Sequence, residues 1–158
     1  MFDFFKKKNR EIILMAPFEG EIVDITKMSD QVFSQKLLGD GVAVIPSSNM
    51  ALAPCDGEIT QIFATNHAFG ITTKEGLQVL VHIGIDTVML KGKGFKRIKE
   101  PGHIVKKGEP IIEIDMDYIK SMGKDIITPL VITNMEKVEN MDKNYENREE
   151  TLRITLNK

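Results

Sequence analysis

The sequence predicts an all-β fold, a sandwich or barrel with an internal duplication and one or two short helices. Two observations carry that expectation. Glycine and proline interrupt the chain at short intervals, and the runs between them are short and rich in Val, Ile and Phe, as many closely spaced strands require. In addition, Met15 to Ile25 reads MAPFEGEIVDI and Leu52 to Ile62 reads LAPCDGEITQI, an offset of 37 with six of eleven positions identical. In each copy proline gives a rigid entry to a turn, glycine permits positive φ, and an alternating strand follows. Two copies are too few for a solenoid, so two similar β-units packed face to face in one domain are expected.

Taken in order, strands are expected at Ile12–Met15, Glu21–Ile25, Val42–Ile45, Glu58–Phe63, Phe69–Thr73, Gln78–Ile83, Pro110–Ile114, Leu130–Thr133 and Leu152–Leu156. Gln31–Leu38 is periodic enough for two helical turns, and Met116–Met122 for one or two before Gly123 ends them. Residues 140–150 are polar and charged and read as an exposed loop before a closing strand. Residues 1–10 read as a tail, in which Phe2, Phe4 and Phe5 precede Lys6, Lys7 and Lys8; so short an apolar cluster anchors poorly to a membrane. The whole chain, 1–158, is expected to form a single domain with its core at about 13–134.

Composition removes several function classes. A formal net charge of -2 and a pI of about 5.9 argue against a sequence-independent nucleic-acid binder. No apolar stretch approaches the roughly 20 residues a membrane-spanning helix needs, and the N-terminus lacks a secretory pattern. Cys55 is the only cysteine, which excludes an intrachain disulfide and suits a reducing, cytoplasmic compartment. It stands where the first repeat has Phe18, and reads as a small buried hydrophobe.

Three histidines offer chemistry: His67, His82 and His103. Strand alternation puts Val79, Val81 and Ile83 on a core face, so His82 projects outward beside Leu80. Gly84 leaves room for an approaching partner, and its carbonyl is free to accept from one ring nitrogen, leaving the other nucleophilic. His67 falls between two strands, in even register with Phe63, Thr65 and Phe69; if those strands neighbour His82, the imidazoles meet across the sheet. His103 follows Pro101-Gly102 and reads as a solvated turn residue. A neutral imidazole at pH 7 attacks phosphorus, and a second imidazole N–H steadies the product less tightly than arginine would. Thr65 is placed to orient that second ring.

The chain resembles the glucose-family enzyme IIA of the bacterial phosphoenolpyruvate:sugar phosphotransferase system. The matching blocks are APFEGEIV, VFSQKLLGDGVAVIPSS, LAPCDGEI, TNHAFGITTKEG, VLVHIGIDTVMLKGKGF, GHIVKKGEPIIEID and TPLVITN, spanning roughly Ile13 to Asn134. The resemblance implies a flattened antiparallel β-sandwich and a phosphocarrier without a cofactor. It makes His82 the phosphorylated residue and His67 its partner, with Thr65 bonded to His67. Phosphoryl arrives from HPr and leaves to a cysteine of a sugar permease's IIB domain, and regulatory protein targets are compatible with this role. The docking surface is expected around Val32, Phe33, Leu37, Leu38, Phe63, Phe69 and Leu80, with Asp30 and Asp86 as an acidic rim. Zinc would bind His67 and His82 only with a third ligand from a partner. Where a glycine turn is expected, Asp142–Glu150 has none, so the last hairpin is expected to be irregular.

Two other classes use overlapping features. A zinc-dependent hydrolase on a related duplicated β-fold would use both histidines, but the chain lacks its His-x-His and His-Glu-x-x-His patterns. A biotinyl- or lipoyl-type carrier needs a lysine at a hairpin tip; Lys91 and Lys93 lie beside glycines but lack that group's flanking residues.

Overall fold

The computed structural model describes residues 10–158; the expectation for the tail through Asn9 lies outside the described residues. Among the described residues, thirteen strands form three antiparallel sheets. The largest contains β2 (Gly20–Asp24), β3 (Asp40–Pro46), β5 (Gly57–Ile62), β6 (Ala68–Thr72), β7 (Gln78–His82), β9 (Ile104–Val105) and β11 (Thr128–Ile132), in the order β2-β3-β11-β7-β6-β5-β9. A second joins β4 (Met50–Leu52), β10 (Pro110–Ile114) and β8 (Phe95–Arg97), and a third joins β1 (Glu11–Leu14), β13 (Leu152–Leu156) and β12 (Val138–Lys143). One buried cluster unites the inner face of the large sheet (Ile59, Phe69, Val81, Leu130) with Ala51 and Ile112 of the second and Leu14 and Ile154 of the third. Each of the larger side chains, Ala51 excepted, stabilises the fold by about 1.5–3 kcal/mol relative to exposure.

The duplication is visible in the hydrogen bonds. Met15 N–H donates to Pro54 C=O at 2.9 Å, and Leu52 N–H donates to Pro17 C=O at 2.7 Å. Positions related by the 37-residue offset thus bond each other reciprocally, and the strands that follow, β2 and β5, start at equivalent glycines. The two copies face each other, as the repeat predicts.

All nine expected strands are present, and four more join them. β4, β8 and β9 have only three, three and two residues. They are defined by their neighbours more than by their own patterns. The fourth corrects the loop expected over 140–150. Asn140–Lys143 belong to β12, a polar strand paired with β13, with a register shift between Val138 and Asn140. The irregular hairpin anticipated there is observed: Asn144 Oδ1 accepts from Glu146 N–H at 3.0 Å, and Asn147 Oδ1 from Glu149 N–H at 3.1 Å. Asparagine side chains close the connection that glycine would otherwise make. The core also extends past 134, because Leu152, Ile154 and Leu156 are buried in it, and it starts before 13, because Arg10 is tied to Leu156.

A second apolar cluster lies on the outer face of the large sheet. Ile25, Met28 and Phe33 cover Ala43, Ile127 and Val131, with Val23, Leu80 and Ile85 packed alongside. Phe33 sits in a one-turn helix, α1 (Gln31–Ser34), capped by Asp30, whose carboxylate accepts from Val32 N–H at 2.8 Å. The expected second turn is absent: Lys36 adopts φ 58° and donates its N–H to Phe33 C=O, turning the chain toward β3. The later helix, α2 (Met116–Ser121), is capped by Asp115 and followed by Gly123 at φ 78°, as expected.

Candidate functional site

β7 alternates as its sequence requires. Val79 and Val81 point into the core, while Leu80 and His82 emerge half-buried on the outer face. Across from His82 stands Ala68 of β6, and Ile83 N–H donates to His67 C=O at 2.7 Å. The end of β7 is thereby fastened to the connection that carries His67. The two imidazoles meet with ring centroids 5.0 Å apart and planes at 80°.

Each ring is held through Nδ1. His82 Nδ1 lies 2.9 Å from Gly84 C=O. A carbonyl only accepts, so Nδ1 carries the proton and, in the neutral ring, Nε2 bears the lone pair. His67 Nδ1 lies 2.6 Å from Thr65 Oγ1, and the Phe63 ring stands 5.3 Å away at 84°. The Phe33 ring centroid lies 5.3 Å from that of His82, with the planes tilted at 52°.

Burial decides the charge of both rings. His67 is only 4% exposed, and burial followed by the neighbouring His82 lowers its pKa to about 4. Burial also lowers His82, against the Gly84 hydrogen bond and the charges of Asp30 and Asp86, which pull upward. At neutral pH the site presents two uncharged imidazoles, one with a defined nucleophilic nitrogen.

The surroundings match the expectation in part. Val32, Leu37 and Leu38 are exposed on and after α1, with Leu37 67% accessible. Asp30 faces His82 closely enough to affect it, and Asp86 caps the 3₁₀ turn Thr87–Leu90 with φ 56°. Phe69 is a correction. It pairs with Val81 on the inner face and is fully buried, because alternation resumes only at β6 and does not run through the turn holding His67. Phe33 is likewise buried, backing His82 instead of forming the surface. Gly84 is a third. It is buried, at φ 78°, and a Cβ there would meet Thr87 Cγ2 at 2.6 Å and Asp125 C=O at 2.7 Å, so its role is local packing and not space for a partner.

Sequence reasoning missed Val88 and Met89, exposed apolar residues that follow Asp86. Their signal was two apolar residues between a strand end and a Gly-Lys-Gly loop, with no alternation to bury them. Cys55 is buried, its thiol pushed up to about 12 by that burial, and His103 is exposed, both as read. A cleft of about 900 Å³ lined by residues such as Ile13, Cys55, Thr60 and Ile104 contains neither His67 nor His82. The histidines occupy an open apolar face.

The model of the phosphoenolpyruvate-dependent sugar phosphotransferase system EIIA 1 family matches residues 12–138. The chain belongs to that family. It is 48% identical over 143 residues to the glucose-specific EIIA component of Borreliella burgdorferi, covering 90% of this chain and 75% of that one. It is also 48% identical over 138 residues to the glucose-specific EIIA component of Haemophilus influenzae, covering 87% and 83%. The solved glucose permease IIA from Mycoplasma capricolum superposes with a TM-score of 0.83 at 32% identity, covering 93% of this chain and 97% of that one. An N-acetylglucosamine-specific EIICBA component from Klebsiella pneumoniae is 45% identical over 123 residues, 78% of this EIIA chain but 19% of that protein. This EIIA is therefore a phosphocarrier component of a sugar phosphotransferase system with the flattened antiparallel sandwich of its family, and the hydrolase and biotinyl or lipoyl readings have no support. Among the described residues, no helix is long and apolar enough to cross a membrane.

Proposed function

We propose that His82 Nε2 accepts the phosphoryl group from phospho-HPr and passes it to a cysteine of a sugar permease's IIB domain. The observation that carries this reading is the 2.9 Å bond from His82 Nδ1–H to Gly84 C=O, which leaves Nε2 free beside a second neutral imidazole. In the loading step a P–N bond to Nε2 forms as the donor's P–N bond breaks, and the departing nitrogen keeps the electron pair. The proton stays on Nδ1, donated to the Gly84 carbonyl, so the attack needs no general base. Thr65 Oγ1 and His67 Nδ1 share a 2.6 Å hydrogen bond; in this reading the hydroxyl donates, so the His67 proton is on Nε2, available to a phosphoryl oxygen. Positioning does most of the work in such a transfer.

Val32, Leu37, Leu38, Val88 and Met89 supply an apolar docking rim, and Asp30 and Asp86 supply negative charge that steers a basic partner. The relatives that combine EIIA with EIIC and EIIB in one component support a permease as acceptor. The transfer as written draws on no metal. Zinc needs a third protein ligand beside the two imidazoles, and among the described residues no cluster of three suitable side chains occurs. The cytoplasm is the compartment this chemistry implies.

The test incubates the protein with phosphoenolpyruvate, enzyme I and HPr and measures acid-labile phosphate. Wild type should label to about one phosphate per chain, and His82→Ala should not label at all. Label persisting in that variant would remove His82 from the role. His67→Gln should load but transfer onward poorly, and normal onward transfer would take His67 out of the mechanism.

A further inference from the structure

Thr65 and His67 lie in the turn between β5 and β6, where Thr65 Oγ1 and His67 Nδ1 are 2.6 Å apart. The residue between them, Asn66, provides the bend with φ 61°. Its N–H donates to Phe63 C=O at 2.7 Å, and Phe63 N–H donates to Ala68 C=O at 2.9 Å, closing the connection from β5 to β6. Asparagine is among the few residues other than glycine that adopt this conformation readily.

The Asn66 side chain is also engaged. Arg97 Nε–H donates to Asn66 Oδ1 at 3.0 Å, and Arg97 Nη1 is paired with Glu100 Oε2 at 2.9 Å. Arg97 ends β8, opposite Ile112 of β10, so it belongs to a different sheet from β5 and β6, the strands that flank the His67 turn. The guanidinium is fixed at its far end by Glu100 and presents Nε to the turn in one orientation.

We propose that Arg97 and Asn66 form a clamp between the two sheets that sets the attitude of His67, making both positioning residues for the phosphoryl site. Thr65 bonds His67 from within the turn; the clamp holds the turn itself. Releasing it leaves the Asn66 bend to local preference alone, and the Thr65–His67 bond then opens part of the time. The consequence for transfer rests on the reading of His67 given above, whereas the consequence for the ring does not.

The experiment compares Arg97→Met, Asn66→Gly and Asn66→Asp with wild type. Glycine keeps the left-handed bend but removes the acceptor; aspartate keeps an acceptor for Arg97. Two readouts are taken: the imidazole ¹⁵N shifts of His67, and the rate at which phosphorylated protein delivers its phosphoryl group to the IIB domain. In Arg97→Met and Asn66→Gly the His67 nitrogens should move toward values averaged over both tautomers. Onward transfer should fall by about ten- to a hundredfold, the scale of a small misplacement in a positioned site. Asn66→Asp should stay close to wild type on both. Unchanged His67 shifts in folded Arg97→Met or Asn66→Gly would overturn the clamp. If Arg97→Met fails to fold, Asn66→Gly decides alone. Should His67→Gln transfer normally, the role of His67 fails, and the nitrogen shifts still test the clamp by themselves.

Discussion

Gly84 serves two purposes at one position. Its carbonyl fixes the His82 tautomer, and its missing side chain lets Thr87 and the Asp125 carbonyl close in at distances no Cβ tolerates. Thr87 is itself fully buried and donates its hydroxyl to Ile83 C=O, so it yields little. Gly84→Ala should therefore cost about 1–3 kcal/mol in urea unfolding, as overpacking does. It should also move the His82 Nδ1 resonance; an unmoved resonance would separate the carbonyl's position from this packing. The sequence made the hydrogen bond legible, since a histidine two residues before a glycine at a strand end has a carbonyl within reach. It did not show what fills the space beside that glycine, because Asp125 comes from a distant segment and Thr87 folds back from the 3₁₀ turn that follows. Phe69 was misplaced for a related reason. Even spacing carries a face only through continuous strand, and Asn66 breaks the strand.

At the scale of elements, α1 and the residues after it form a cover whose inner side packs and whose outer side waits. Phe33 is buried against His82, while Leu37 stands 67% exposed three residues before β3 begins at Asp40. Leu37→Asp should leave the unfolding free energy within about 0.5 kcal/mol of wild type, as exposed substitutions do. It should raise the HPr concentration needed for half-maximal loading about tenfold, the size of one apolar anchor lost. Unchanged loading at low HPr would place the docking surface elsewhere. The existence of this helix was readable from the periodicity of Gln31–Leu38; its length was not, since Lys36 gave no sign of its left-handed turn. The polar strand β12 was hidden for the opposite reason. Val138, Met141 and their neighbours are ordered by pairing with β13 more than by any pattern of their own.

For the whole molecule, the buried imidazole links function to stability. His67 takes a proton near 6.5 in the unfolded chain but only at about 4 when folded. Between those values the unfolded chain holds more protons, so stability falls as pH falls, by at most about 1.4 kcal/mol for each unit. Above 6.5 the ring is neutral in both states and the effect vanishes; below about 4 the loss is complete. Urea midpoints from pH 7 to 4.5 should therefore decline less steeply in His67→Gln than in wild type, and parallel declines would contradict the lowered pKa. The duplicated sandwich itself was legible because its repeat is local, whereas the order of seven strands depends on pairings no single segment encodes. That duplication has a further meaning. Ile25 and Ile62 close the two copies of the repeat. After the first the chain makes the cover containing Phe33, and after the second it makes the turn containing His67. The two inserts leave equivalent positions of the repeat and converge on one ring, His82. Within the first insert the exposed Val32, Leu37 and Leu38 are separate from Phe33, which packs against the ring, so exchanging those three side chains alone offers a way to redirect the carrier to a new partner without rewriting its chemistry.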